Sequence, residues 1–171
     1  MTVRVDSIPF LYDIVVSSTL PVVDVRLIDV PIGRLDVGHL DVSARNVHFD
    51  RHVLFDDHRL RVTAISSATV QATVTAAELS KAIGHEVVLV GPDTIKVRIG
   101  PLLVPAQLGI VGGHVLTIDE AGFRLLGVDL ASISVVPPCA MRLTVGPGVA
   151  MLQCRIAPVP TSLFAAISSN T

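Results

Sequence analysis

The chain has 171 residues, enough for one domain with a proper core and short for two. Half of it is apolar and mean hydropathy is +0.66, which excludes a disordered chain. Net charge is −2, the cations are 11 Arg with Lys81 and Lys96 in no basic run, and five Phe, one Tyr and no Trp offer few stacking platforms, so a nucleic-acid partner is not expected.

Val, Leu and Ile make up about a third of the residues, an aliphatic, β-branched mass that favours strands. No stretch reads as a membrane-spanning helix, which needs about 20 mostly apolar residues. The uncharged run from Val62 to Ala77 is full of Ser, Thr and Gln, and the run from Ile99 to Gly113 is broken by Pro101, Pro105 and Gly109. The first residues, Met1 to Asp6, carry no apolar leader core. No linker, charge block or low-complexity tract divides the chain, so residues 1–171 read as a single domain.

Ser7 to Val16 is a short apolar segment, with a helix as one reading. Val23, Val25 and Leu27 then alternate with Asp24, Arg26 and Ile28, the period of a strand. Leu35 and Val37 continue on odd positions, whereas Leu40, Val42 and Ala44 fall on even ones. The slip at Gly38-His39 predicts a bulge. Val47 and Phe49 end that run. A polar knot follows, from Asp50 to His58, read as a solvated hairpin loop. Leu60, Val62 and Ala64 predict one strand, and Val70, Ala72 and Val74 another. Thr75 and Glu78 have the spacing of a capping box, which predicts a helix from Ala76 to Ile83 closed by Gly84.

Val87 to Val90 and Thr94 to Ile99 bracket Gly91-Pro92-Asp93, a hairpin signal. Pro31, Gly33, Pro101 and Pro105 predict bent or interrupted strands, and Gly109 to Gly113 reads as a turn. His114 to Ile118 and Phe123 to Val128 bracket a second hairpin loop. Pro158 to Ile167 reads as a short terminal helix. The sum is a β-rich α+β fold: a strongly curved antiparallel sheet or elongated β-barrel with one or two short helices.

The two cysteines flank the turn Val145 to Gly148. A turn centred on Gly146-Pro147 would set Cys139 directly across from Cys154, within reach of a disulfide. A longer loop breaks that register, and two buried thiols are the alternative. A bridge implies an oxidising compartment.

Catalytic and metal chemistry find little support. His48, Asp50, His52 and His58 cluster in sequence, but no second ligand pair has zinc spacing. Asp24, Asp29, Asp36 and Asp41 fall on polar faces of alternating strands and read as solvated. No nucleophile elbow, P-loop or dinucleotide fingerprint occurs. No metal, no cofactor and no enzymatic activity are expected. What stands out is the aliphatic excess. An acyl chain needs only a dry aliphatic groove, because each buried methylene gains about 0.8 kcal/mol. The other reading is that these side chains fill a core of their own, in a structural or protein-interaction domain.

Val3, Val5, Pro9, Phe10 and Leu11 follow the pattern V-x-V-x-x-x-P-F-L. Val23 to Leu27, Ile32-Gly33-x-Leu35-x-Val37, Leu40-x-Val42 and Val47 come next. Ala72-x-Val74-x-Ala76-x-Glu78-Leu79 and the closing run from Pro138-Cys139 through Gly148 to Leu152-x-Cys154 and Pro160 complete the order. In these elements the chain resembles the LmeA-like phospholipid-binding proteins of actinobacteria, over about residues 3 to 163. The resemblance implies non-enzymatic binding of phospholipid in an apolar cavity of an elongated, curved barrel, in support of the cell envelope. It implies an extracytoplasmic location if a leader or anchor precedes this chain, and a cytoplasmic one otherwise. Expected partners are a phospholipid or other acyl lipid and, peripherally, a membrane. The chain is expected to be monomeric. The lipid-binding candidates come from the strand pattern: Phe10, Leu11, Val23, Val25, Leu27, Leu60, Val62, Phe123 and Leu125, each of which could equally be plain core.

Overall fold

Alternating aliphatic residues build the strands, and the sequence leaves alternation where helices form. The computed structural model describes residues 2–5, 17–32, 34–57, 59, 61–112, 115–118, 133–134 and 139–162, with 2–5, 115 and 133–134 described by backbone alone. Among them are eleven strands and two helices. In chain order these are β1 (Thr2–Val5), β2 (Thr19–Ile32), β3 (Leu35–Phe49), α1 (Arg51–Asp56), β4 (Val62–Thr75), α2 (Ala76–Ile83), β5 (Val87–Gly91), β6 (Thr94–Ile99), β7 (Leu102–Val111), β8 (Val115–Ile118), β9 (Ile133–Ser134), β10 (Arg142–Gly146) and β11 (Val149–Ile156).

One sheet has the order β1-β2-β3-β4-β11-β10 and the other β5-β6-β7-β8-β9. The fold is β-rich α+β with two antiparallel sheets, as the alternation predicted. Among the described residues neither sheet closes on itself, so the barrel form of that expectation does not hold.

The chain forms two compact units. The first comprises Met1–Arg26, Asp41–Val70 and Arg155–Thr171, and the second Leu27–Leu40 and Gln71–Cys154. The first unit has a small core of Leu20, Ala44, Val47 and Phe49, against which Val23, Val62 and Ile65 lie half-buried. The second unit has a cluster of sixteen buried side chains, with Leu79, Ile95 and Val97 at 0% exposure. In that unit α2 and β10 both pack on β5, and β10 also reaches β7.

Local chemistry explains α2. Glu78 and Thr75 form the capping box: the Thr75 hydroxyl accepts from the Glu78 amide at 3.3 Å, and the Glu78 carboxylate accepts from the Thr75 amide at 2.6 Å. Gly84 ends the helix in the left-handed region at φ 79°. Gly38 makes room for this cap, since a Cβ there would fall 2.5 Å from Glu78 Oε1.

Several expectations change. The polar knot after Phe49 is not a loop throughout. Asp50 accepts from the amides of His52 and Val53 and starts α1, so the aspartate acts as an N-cap. The two strands expected between Leu60 and Val74 are one strand, β4, which runs through Ser66 and Ser67 with no Gly or Pro to break it. Gly109 is not in a turn. β7 runs through both Pro105 and Gly109 and turns only at Gly112, at φ 63°. Among the described residues β8 pairs with Leu108–Val111 and Pro105 pairs with β6, so proline's missing donor costs no described ladder bond on its other flank.

The β5-β6 hairpin forms as predicted, with Asp93 at φ 57°. The β10-β11 hairpin forms with its turn centred one residue further on, which moves each cross-strand partner by two residues. Gly146 pairs with Val149, and the turn centres on Pro147-Gly148 with Gly148 at φ 76°. Proline presets the first central position of such a turn, and only glycine readily takes the positive φ of the second. The segment Ser7–Val16 and the second arm of the hairpin at Phe123 to Val128 lie outside the described residues, as does the terminal helix beyond residue 162.

Candidate functional site

Strand alternation positions four of the lipid-binding candidates. Val23 and Val25 stand on β2, opposite Val5 and Val3 of β1, and both are half-buried. Val62 opens β4. Val23 and Val62 come together against the small core of the first unit. Leu27, in the second unit, is half-buried on β2, and neither it nor Val25 joins a buried cluster. Phe10, Leu11, Leu60, Phe123 and Leu125 lie outside the described residues.

A concave site sequence reasoning missed lies in the second unit. It is a groove of about 370 Å³, open to solvent, lined by Asp93 of the β5-β6 turn, Gln107 to Ile110 of β7, Thr117 of β8, Met141, and Leu143 of β10. Leu108 is buried; Ile110, Met141 and Leu143 are half-buried. Gly109 is the ladder partner of Thr117, whose hydroxyl lies 3.5 Å from the Gly109 carbonyl. The ladder sets Gly109 and Thr117 on one face of β7 and β8 and Leu108 and Ile110 on the other, so the groove's lining mixes polar and apolar groups. The sequence signal that could have found it is Gly109 between Leu108 and Ile110, once that run is taken as strand.

The polar clusters have structural employment. His48 Nδ1 lies 2.9 Å from Thr19 Oγ1, and Asp50 caps α1. His58 lies outside the described residues. Among the described residues no three His, Cys, Asp or Glu side chains gather as a metal set. Two of the strand aspartates, taken as solvated, hold cations. Arg26 donates to Asp41 at 2.6 Å and Lys81 to Asp36. The hydrogen bond, then the charge of each partner, raises the pKa of Arg26 and of Lys81 above the ordinary value. These groups are exposed and support local geometry. No helix among the described residues is long and apolar enough to cross a membrane.

Cys139 and Cys154 form a disulfide with a Cα separation of 5.8 Å. The observed register places Cys139 ahead of β10 rather than directly across from Cys154. The bridge therefore closes the base of the hairpin from the segment that leads into it.

Residues 1–162 match the family model described as LmeA-like phospholipid-binding. The chain belongs to this family, whose description is of binding and not of catalysis. No curated protein and no solved structure matches the chain.

Proposed function

We propose that the chain binds phospholipid through its acyl chains, catalyses no reaction, and serves the cell envelope as a carrier or holder of lipid. The observation that carries this reading is the family match, which spans residues 1–162. Two features support it. Aliphatic residues on β2 and β4, among them Val23, Val25, Leu27 and Val62, are half-buried rather than sealed. Such surface gains free energy when methylenes cover it, in proportion to the area removed from water. The disulfide supports an oxidising, extracytoplasmic setting, because cytosolic thiols are normally kept reduced. On this reading residues 1–171 act as one monomeric domain that meets the membrane peripherally. Phe10, Leu11, Leu60, Phe123 and Leu125 complete the aliphatic lining.

A second reading, a structural or interaction domain with a self-filled core, draws on the second unit, whose sixteen buried side chains pack on one another. Native mass spectrometry of the purified protein, with organic extraction of the same sample, separates the two. A discrete mass increment that matches phospholipid and is released by solvent is the expected result. A bare mass, with no uptake from added vesicles, would leave the self-filled domain.

A further inference from the structure

An antiparallel sheet sealed on one side normally turns polar residues to the other. The sheet that holds β5, β6 and β7 departs from this. Val87, Leu89, Ile95, Val97 and Ala106 seal its inner face at no more than 7% exposure. Yet of the eight large apolar side chains that stand exposed among the described residues, five lie on β5 and β7. Two of these, Leu102 and Leu103, follow the β6-β7 turn, where Gly100 takes φ 57° and both Gly100 and Pro101 are exposed.

The register places the two leucines. Leu102 pairs with Ile99 and continues the inner face beyond the core, at 58% exposure. Leu103 pairs with Arg98 and stands on the outer face, at 44%. The hairpin end therefore carries a leucine on each of its faces. A protein partner stacked on the sheet covers only the outer one. An apolar medium that surrounds the tip covers both.

Cations stand behind the tip. Arg98 is level with Leu103, and Lys96, two residues back, is level with Pro105; both cations are exposed. The Glu86 carboxylate accepts from Arg98 at 2.6 Å and offsets its charge, so Lys96 tips the sum of the three positive. At a rise of about 3.3 Å per residue, Arg98 lies about 7 Å behind Gly100. Apolar elements at a membrane surface sink about 5–10 Å into the boundary between headgroups and acyl chains. That depth submerges Pro101 to Leu103 and brings Arg98 to the lipid phosphates, while the flexible stem of Lys96 lets its ammonium reach them from further back.

We propose that the β6-β7 hairpin end is a membrane-docking tip, which inserts Leu102 and Leu103 into an anionic bilayer with Lys96 and Arg98 at its phosphates. This names the element through which a phospholipid-binding chain meets the membrane, and rests on that reading. The protein is sedimented with vesicles of phosphatidylcholine alone and of phosphatidylcholine mixed with phosphatidylglycerol. The wild type is expected to bind the mixed vesicles more tightly. Leu102→Thr with Leu103→Thr keeps strand-forming residues and should cut binding at least about tenfold at an unchanged melting temperature. Lys96→Gln should cut binding to the mixed vesicles about fivefold and leave binding to phosphatidylcholine unchanged. Ile28→Thr, at a site 53% exposed on β2, should change neither.

Wild-type binding by a folded double-threonine variant overturns the tip, as does an equal loss in Ile28→Thr. Unchanged binding in Lys96→Gln overturns the charge assignment. Should the threonines disturb folding, the wild type is photolysed on mixed vesicles whose phosphatidylglycerol carries a diazirine acyl chain. Label within residues 100–104 supports the tip, and label confined elsewhere overturns it. Uptake of monomeric short-chain phosphatidylglycerol, read by native mass spectrometry, separates this proposal from the reading beneath it. Uptake without vesicle binding overturns the tip while phospholipid binding stands, and neither one overturns both. A dimer that the two threonines dissociate, with no vesicle binding, overturns the tip and assigns these leucines to a second copy of the chain.

Discussion

The two compact units bury their strands to different degrees. In the second, residues from β3 to β11 and from α2 interlock until Leu35, Val37, Val74, Leu79, Ile95 and Val97 are no more than 1% exposed. In the first, the described core is four side chains, and the valines that alternate along β2 and β4 stop half-buried. The same aliphatic composition is therefore sealed in one region and left half-buried in the other. A β-strand with alternate aliphatic residues commits one face to burial, but the sequence of that strand does not say what covers it.

Four predictions press on this contrast. The largest effect is on lipid. Val62→Asp in the first unit, or Leu27→Asp at the half-buried start of the second, places a charge among aliphatic strand residues and should abolish lipid co-purification while far-UV circular dichroism stays unchanged. A folded, fully loaded variant would remove that position from the lipid surface. Next, Ile95→Ala should cost about 2–5 kcal/mol in urea denaturation, the range for a buried large-to-small change. Val62→Ala should cost about 1 kcal/mol or less, because a half-buried side chain has less to lose. Equal costs would erase the distinction between the units.

Third, replacing both Cys139 and Cys154 by Ser should cost on the order of 3 kcal/mol, since the bridge closes a loop with a sequence separation of 15. That loss is expected at equilibrium in the same urea titration. Fourth, Thr75→Ala removes the cap of α2 and should cost about 1 kcal/mol, read as a lower urea midpoint at unchanged slope. The second unit should then lose stability without any loss of bound lipid, a dissociation that sharpens the comparison.

Where local chemistry suffices, the sequence is explicit. Thr75, Glu78 and Gly84 specify α2 to the residue, and Pro92-Asp93 specifies the β5-β6 turn. It misleads where a tertiary neighbour decides. Pro105 and Gly109 look like breaks, yet β7 continues, because among the described residues Pro105 has a strand partner on one flank only and Gly109 does not adopt a positive φ. The hairpin register slipped because Gly148, not Gly146, supplies the left-handed turn residue. The groove was invisible for a related reason: it depends on Thr117 lying opposite Gly109 and on Met141 arriving from another part of the chain. The phospholipid family was legible because its signal is an order of elements spread along the chain, which survives errors in any one of them.

The bridge from Cys139 to Cys154 encloses the exposed Pro147-Gly148 turn. Exposed turns are the usual sites of proteolytic nicking. A single cut in that turn would leave both fragments covalently joined. The nicked chain would run as one species without reductant and as two with it, and with β10 still tethered beside β11 it could keep its fold after its backbone had been severed.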